Sequence, residues 1–291
     1  MDGMGLVLGR LQDAGFTDVA GVDAAEGGLA AVAAAVRLGD GSSVFAKTFA
    51  ESPGTGVFEA EAEGLSALAA AGARTPRVLH VDRELLVLEQ VRPRVDTPAA
   101  WEELGRTLAA LHTSTRTDRF GWHRDVWLGR RRQDNTWHDD GHEFFARCRL
   151  LRWLPEPRVR EALGPQGCAA LERFCDRLPE LLPAAPACLT HGDMWSQNVL
   201  SDGTGGPVLI DPAVSFTWAE VDLSMLWCSP RPPASDRLFD VYAEVAGLED
   251  GWRERMPLLH LRQHLAVTAQ YDPDWGHGAD ARALLKKFAP W

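Results

Sequence analysis

The residues best placed to do chemistry lie in one stretch, LTHGDMWSQNVL, followed after a glycine-rich turn by VLIDPA. His191 and Asp193 form a His-x-Asp pair, Asn198 follows five positions after Asp193, and Asp211 stands thirteen after Asn198. That set suits phosphoryl transfer from a nucleotide to a hydroxyl. Asp193 would accept a hydrogen bond from the attacking hydroxyl and take its proton. Asn198 would offer a neutral oxygen to a metal, and Asp211, across a short hairpin, a charged oxygen to the same cluster. Magnesium takes hard oxygen ligands and keeps several waters, so one or two protein oxygens beside the phosphates suffice. Each residue alone reads as a turn, a loop or a cap. Their joint spacing at the ends of apolar strands carries the phosphotransfer reading.

Residues upstream could hold the nucleotide, which makes ATP and Mg2+ the expected cofactors. Lys47, in VFAKT, ends a strand from which an ammonium could reach the alpha and beta phosphates. Glu61, in FEAEAEGL, lies on the next helix and could pair with it, with Glu59 and Glu63 as competitors. Helical spacing makes Phe58, Ala62 and Leu65 the inward stripe and puts Glu61 on its edge. Gly27-Gly28 would let a backbone loop approach phosphates closely. At the end of LVLEQV, the Glu89 carbonyl and the Val91 amide could read an adenine edge.

The elements that must position these groups fall into two parts. Met4 to Ala14 has helical spacing, and Ala30 to Leu38 and Ser43 to Phe49 read as strands joined at Asp40-Gly41. Phe58 to Ala71 predicts a helix, and Arg77 to Val81 and Leu85 to Val91 predict two more strands. Residues 1–91 thus form a small antiparallel sheet with a helix on it, the nucleotide-binding lobe. Pro93 and Pro98 break the pattern. Residues 92–291 are mainly helical, with Trp101 to Thr113, Glu143 to Trp153, Gln166 to Leu182 and Trp252 to Thr268 carrying helical spacing. Within them, Asn198 to Ser201 and Val208 to Asp211 predict a hairpin. The class is α+β.

Composition narrows the partners. The 291 residues are 45% hydrophobic and 24% charged, with a formal net charge of -11, which suits a folded chain and not one built for nucleic acid or an anionic membrane. The start lacks the pattern of a signal peptide, and no apolar run is long enough to span a bilayer. Five cysteines without a CxxC pair fit a reducing compartment. The expectation is a cytoplasmic enzyme for which a monomer suffices, acting on a small-molecule or glycated-amine substrate.

Longer runs go further. VFAKT, FEAEAEGLSAL, GRTLAALHTST, FGW, Gln133-x-Asn135-x-Trp137, EFFARCRL, HGDMWSQNVL and DPAVSFTWAEVDLSML stand in order along the chain. In these the sequence resembles the fructosamine (ketosamine-3-) kinases, a branch of the aminoglycoside-phosphotransferase-like group. HGD with Asn and Asp marks the wider group; Trp195, DPA and Glu220-x-Asp222 narrow it. The resemblance implies a protein-kinase-like two-lobe fold with ATP in the cleft and phosphorylation of the sugar 3-hydroxyl of an amine-linked ketose. It makes Asp193 the base, Asn198 and Asp211 the metal ligands, and Lys47 with Glu61 the phosphate anchor. Trp195 could wall the sugar or simply pack the lobe. Gln133, Asn135 and Trp137 could line the acceptor side or stabilise a loop. Glu220 and Asp222 are expected to anchor the loop, with Asp222 capping the following helix, and His112 to be a packed core histidine.

Departures bear on the acceptor. After Gly27-Gly28 the chain runs Leu29-Ala30-Ala31, without a loop cysteine or serine. Arg130, Arg131 and Arg132 precede Gln133, as a solvated turn or as an attractor for an anionic substrate. WCSPRPPASD follows Leu226 in place of a glycine-phenylalanine pattern. An aminoglycoside, a choline-like amine or a free sugar is the alternative acceptor. A nucleotide-binding pseudokinase would lack a base or metal ligand, and here all three are present.

Overall fold

A computed structural model describes residues 2–25 and 31–291; Gly27 and Gly28 lie outside them. α1 (Gly3–Asp13) starts at Asp2, whose carboxylate accepts from the Gly5 amide at 2.8 Å. Then come β1 (Val19–Ala24), β2 (Val32–Leu38), β3 (Ser43–Thr48), α2 (Val57–Ala70), β4 (Val78–Val81) and β5 (Leu85–Glu89). The five strands form one antiparallel sheet in the order β1-β2-β3-β5-β4. Alternation along β3 sorts its side chains. Val44 and Ala46 join Ala34, Val36, Leu85 and Val87 against Val7 and Leu11 of α1. Phe45 and Phe49 join Leu86 and Leu88 against Val57, Phe58, Ala62 and Leu65 of α2. Lys47 shares the parity of Phe45 and Phe49, so the period of two delivers its ammonium to the α2 side.

From Pro98 the chain is mostly helical. α3 (Pro98–Ser114) is followed by the hairpin β6 (Val126–Leu128) and β7 (Arg131–Gln133). α4 (Gly141–Phe144) continues through a π-helical stretch over Phe145–Leu150 and a tight turn over Leu151–Trp153. α5 (Pro157–Asp176) kinks at Gly164, φ +64°, ahead of Pro165, and α6 (Leu178–Leu181) follows. The strands β8 (Cys188–Thr190), β9 (Val199–Ser201), β10 (Pro207–Leu209) and β11 (Ser215–Thr217) precede α7 (Glu220–Cys228), α8 (Asp236–Ala246), α9 (Trp252–Gln270) and α10 (His277–Phe288). The sheet half and the helical half meet at residues 90–92, where Arg92 and Ser201 exchange backbone hydrogen bonds at 2.9 Å.

The expected sheet, its helix and the 199–209 hairpin are present. Several elements differ from the sequence reading. β1 is an additional edge strand, and its mixed burial gives it no clean alternation. Asn198 sits in a tight turn before β9 instead of in the strand, and β10 ends at Leu209, two residues short of Asp211. Arg131 and Arg132 belong to a strand, not a turn. α5 begins nine residues before Gln166, the helix expected after Asp222 begins two residues earlier as α7 at Glu220, and α8 and α10 were not expected.

α3 and α8 pack closely because Gly105 presents no side chain to the chain opposite. A Cβ there would lie 2.6 Å from the Leu238 carbonyl oxygen. Gly105→Ala gains about 1 kcal/mol of helix propensity and loses about 1–3 kcal/mol by overpacking against backbone that cannot rotate away. The net expectation is destabilisation, read as a lower urea midpoint at unchanged slope; a raised midpoint would contradict the packing described.

Candidate active site

Two strand pairs build the loop platform. β8 pairs with β11, Thr190 opposite Ser215, and β9 pairs with β10, Val199 opposite Leu209. The segments between them, 191–198 and 210–214, therefore face each other. They are stitched by Ala213 N–H to the His191 carbonyl at 2.8 Å and Ile210 N–H to the Asn198 carbonyl at 3.1 Å. His191 adds a ring bond, Nε2 to the Ile210 carbonyl at 2.8 Å, and its Nδ1 accepts from the Asp193 amide at 3.2 Å. These partners fix the Nε2–H tautomer. Burial holds the imidazole below its usual pKa, so it serves as a neutral strut.

Beneath the loop lies Asp222, fully buried. Its carboxylate accepts the amide hydrogens of His191 at 2.7 Å and Gly192 at 2.9 Å, and His112 reaches it at 3.3 Å. Burial opposes its charge, but His112, His191 and the Gly192 amide outweigh that and keep it below the usual carboxylate range. The carboxylate thus binds the loop as expected. It does not cap α7, because it sits in the helix's first turn while Ala219 holds the cap position without a side-chain bond. Glu220 is tied instead to Arg255 at 2.5 and 2.8 Å. His112 is a core histidine, with Tyr242 on its other nitrogen at 2.9 Å. Gly192 has φ +81°, and a Cβ on it would strike the Ala213 carbonyl, so only glycine lets the two segments close.

On this platform the predicted chemical groups come together. Asn198 Nδ2 donates to the Asp193 carbonyl at 2.8 Å and to its carboxylate at 3.3 Å, which leaves the amide oxygen as a ligand atom. Asp211 adopts φ +57°, a left-handed backbone rare outside glycine and typical of functional positions. Its carboxylate contacts the Lys47 ammonium, which also binds Glu61 at 2.7 Å. Burial would lower the lysine pKa; Asp211 and Glu61 reverse that and raise it. Of the three competing glutamates, Glu61 is the one that meets Lys47. Glu63 turns the other way, to Trp122 at 3.0 Å, His123 at 2.6 Å and Arg124 at 3.3 Å. Asp193 is pushed up to about 7, chiefly by burial, with Arg262 opposing the shift and Asp211 adding to it.

Other predicted residues serve differently. Asn135 is spent on the protein: its amide donates to the Arg124 and Val214 carbonyls at 3.2 and 3.3 Å, and its oxygen accepts from Arg149 at 2.7 Å. It fixes a loop and has no polar atom left for a substrate. Trp137 stacks on Phe216 under Arg119. Gln133, buried on β7, accepts from Arg262 at 3.4 Å, while its Nε2 has no partner among the described residues. Trp195 is half-buried against the main core. The Glu89 carboxylate binds Arg74 at 3.0 Å and Arg77 at 3.5 Å, and the Val91 carbonyl accepts from Gln90 at 3.1 Å. The arginine triplet is engaged: Arg131 with Glu156, Arg132 with Asp125, and Arg130 with Gln270 and the Glu51 carbonyl.

Arg262 and Tyr271 were missed by sequence reasoning. Arg262, buried on α9, donates to the Gly192 carbonyl and faces the charges of Asp193 and Asp222. Tyr271 follows α9, feels the Asp193 charge and stacks on Trp275 at 5.3 Å. Neither belongs to a motif; only the tertiary path of α9 brings them to the loop.

The fructosamine kinase family profile matches residues 11–288. The chain belongs to that family. A provisionally named ketoamine kinase of Synechocystis sp. is 33% identical over 79% of this chain and 78% of its own length. A chloroplastic protein-ribulosamine 3-kinase of Oryza sativa subsp. japonica is 30% identical over 86% of this chain and 73% of its own. A crystal structure from Thermobifida fusca, provisionally named fructosamine-3-kinase, superposes with a TM-score of 0.81 at 35% identity, covering 92% of this chain and 94% of that one. The fold of this family member is that of the protein-kinase-like phosphotransferases. No helix among the described residues is long and apolar enough to cross a membrane.

Asp222 is the anchor to test. Asp222→Asn keeps the volume but turns an N–H group toward backbone donors, leaving a buried donor unsatisfied at about 1–3 kcal/mol and weakening the tie to His112. A loss of about 2–3 kcal/mol in chemical denaturation is expected. Unchanged stability would show that the carboxylate does not hold the loop.

Proposed function

We propose that the chain is an ATP- and Mg2+-dependent kinase that phosphorylates the sugar 3-hydroxyl of a ketosamine, a fructosamine or ribulosamine. Family membership supports the reaction type. The observation that carries the acceptor site is a concentration of buried polar atoms without partners among the described residues. Arg262 bonds Gln133 and the Gly192 carbonyl beside Asp193, and Asp193 Oδ1, Arg262 Nε and Gln133 Nε2 are all unsatisfied among the described residues. Buried polar atoms are nearly always paired in native proteins, so these call for a ligand or water. A sugar offers hydroxyls that both donate and accept, with one hydroxyl hydrogen directed at Asp193.

The division of labour follows from the donor atoms. Residues 1–91 form the nucleotide lobe and 92–291 the catalytic lobe. Asp193 takes the proton of the attacking hydroxyl. Asn198 and Asp211 offer an amide and a carboxylate oxygen, a hard donor set that fits Mg2+, and would hold it; bound there, it neutralises charge on the phosphates. Lys47, oriented by Glu61, meets the alpha and beta phosphates. The Glu89 carbonyl and Val91 amide lie where the two halves join and serve the adenine edge. Trp195 flanks the loop on the sugar side. Phosphate placed beside the ketose carbonyl becomes a leaving group in later enolisation, which frees the amine and makes deglycation the consequence. The cell's reducing interior is the compartment we assign.

ATP consumption with Mg2+ should be measured against fructosamines, ribulosamines, aminoglycosides and free sugars. Turnover on a ketosamine is expected; inactivity on every ketosamine beside turnover of another class would move the assignment to that class. Asp193→Asn should lower kcat by about 10²- to 10⁴-fold with ATP affinity retained, and near-normal turnover would reassign the base.

The pH profile follows from the same carboxylate. A base must be unprotonated, and Asp193 in the free enzyme titrates near 7. With both substrates below saturation, the rate should therefore rise with pH through that region and level off above it. Arg262 opposes the upward shift, so Arg262→Met should move this limb to higher pH. A limb near pH 4 in the parent would show that burial does not raise this carboxylate, and a limb that ignores Arg262 would exclude Asp193 as the titrating group.

A further inference from the structure

On the far side of α9 from the catalytic loop, two histidines and an aspartate converge outside any role in phosphotransfer. His264 lies on α9; His277 and Asp280 lie one turn apart at the start of α10. His264 Nδ1 is 2.9 Å from His277 Nδ1 and 4.0 Å from an Asp280 oxygen, and the three donor atoms lie within 4.8 Å of one another. The helices are held in register there by Gly278, where a Cβ would come within 2.7 Å of Ala162 and 3.5 Å of Thr268. One turn earlier, His260 sets its ring 4.9 Å from that of His264, is 3% exposed, and carries an Nδ1 with no partner among the described residues.

We infer that His264, His277 and Asp280 form a transition-metal site, with Zn2+ the ion that fits best. Zinc–nitrogen bonds of about 2.0–2.1 Å and zinc–oxygen bonds of about 2.0–2.2 Å set tetrahedral donor separations of about 3.3–3.5 Å. The observed separations straddle that value, and small side-chain rotations close the difference. Both rings bind as Nε2–H tautomers, so one imidazole–imidazole hydrogen bond is exchanged for two metal–nitrogen bonds. Two imidazoles and one carboxylate suit Zn2+ and disfavour Mg2+, which demands oxygen. Asp280 is exposed and gives the ion an entry path. The site ties α10 to α9, the helix that also carries Arg262.

The test uses the full chain, free of any histidine tag and stripped with a chelator. Calorimetric titration with Zn2+ should show one equivalent bound, with millimolar Mg2+ unable to compete and Tm raised by several degrees. His277→Ala should abolish this binding, and Asp280→Asn should weaken it by about 10-fold or more. Because Asp280 is solvent-exposed, its replacement leaves the core intact, and far-UV circular dichroism verifies folding of both variants. Absence of stoichiometric binding overturns the assignment, as does binding that both substitutions leave unchanged.

Discussion

The structure depends on one cation held between two carboxylates that arrive from opposite halves of the chain. Lys47 comes from the sheet, Glu61 from the helix packed on it, and Asp211 from the segment after β10. At an effective dielectric of about 20, two unit charges 4 Å apart attract by about 4 kcal/mol. Lys47 is 6% exposed, so its desolvation cost is met only while both partners stay in place. Any relative slide of sheet and helical halves would strand the ammonium or leave two carboxylates facing each other. Polyphosphate oxygens would replace one carboxylate partner by another anion, so the ammonium stays paired with or without nucleotide.

That ion cluster holds the halves; a second buried charge shapes the loop. Asp222 collects two consecutive amide hydrogens, which forces the peptide planes at His191 and Gly192 to point inward together. The turn this requires places Gly192 at positive φ and drives the Ala213 carbonyl to the spot a side chain would fill. Asp211 pays for the closure with a left-handed backbone at φ +57°. Its carboxylate therefore meets Lys47 by backbone geometry and not by side-chain rotation alone. Preorganisation of this kind suits phosphoryl transfer, in which positioning and electrostatics supply most of the catalysis.

Local rules made much of this legible. The alternation of VFAKT and the helical spacing of FEAEAEGL are enough to bring Lys47 and Glu61 to one interface, because each depends only on backbone period. The Asp193, Asn198 and Asp211 spacing survives because short hairpins leave little freedom between strand ends. A further signal lay unused: only Lys47, Lys286 and Lys287 are lysines among 30 basic residues, so a lone lysine on a buried strand stands out against a background of arginine. What was hidden is what depends on distant packing. Asn135 and Gln133 are two residues apart, yet Arg149 spends the first and Arg262 leaves the second half-satisfied. Helix α9 was legible as Trp252 to Thr268, but its near-continuous burial leaves no amphipathic stripe to show which residue, Arg262 included, would face the loop.

The helix that carries Glu61 is clamped more firmly than the ion pair alone requires. Glu63, two residues on and pointing away, is gripped by Trp122, His123 and Arg124 from the segment ahead of β6. Gly64 lets the same helix lie against Pro212 and Val214, with a virtual Cβ only 3.1 Å from the proline ring. Contacts on both edges of α2 therefore come from the helical half, one of them from the residue next to Asp211. Swinging α2 outward to separate Glu61 from Lys47 would break three charge-assisted or ring-nitrogen bonds and open the packing at Pro212 in the same motion. These partners are part-exposed, so each bond is worth about 0.2–1 kcal/mol, and the packing at Pro212 adds to them. Both edges of α2 thus hold Glu61 against Lys47, so the ion pair and the cleft it belongs to are supported by the same contacts.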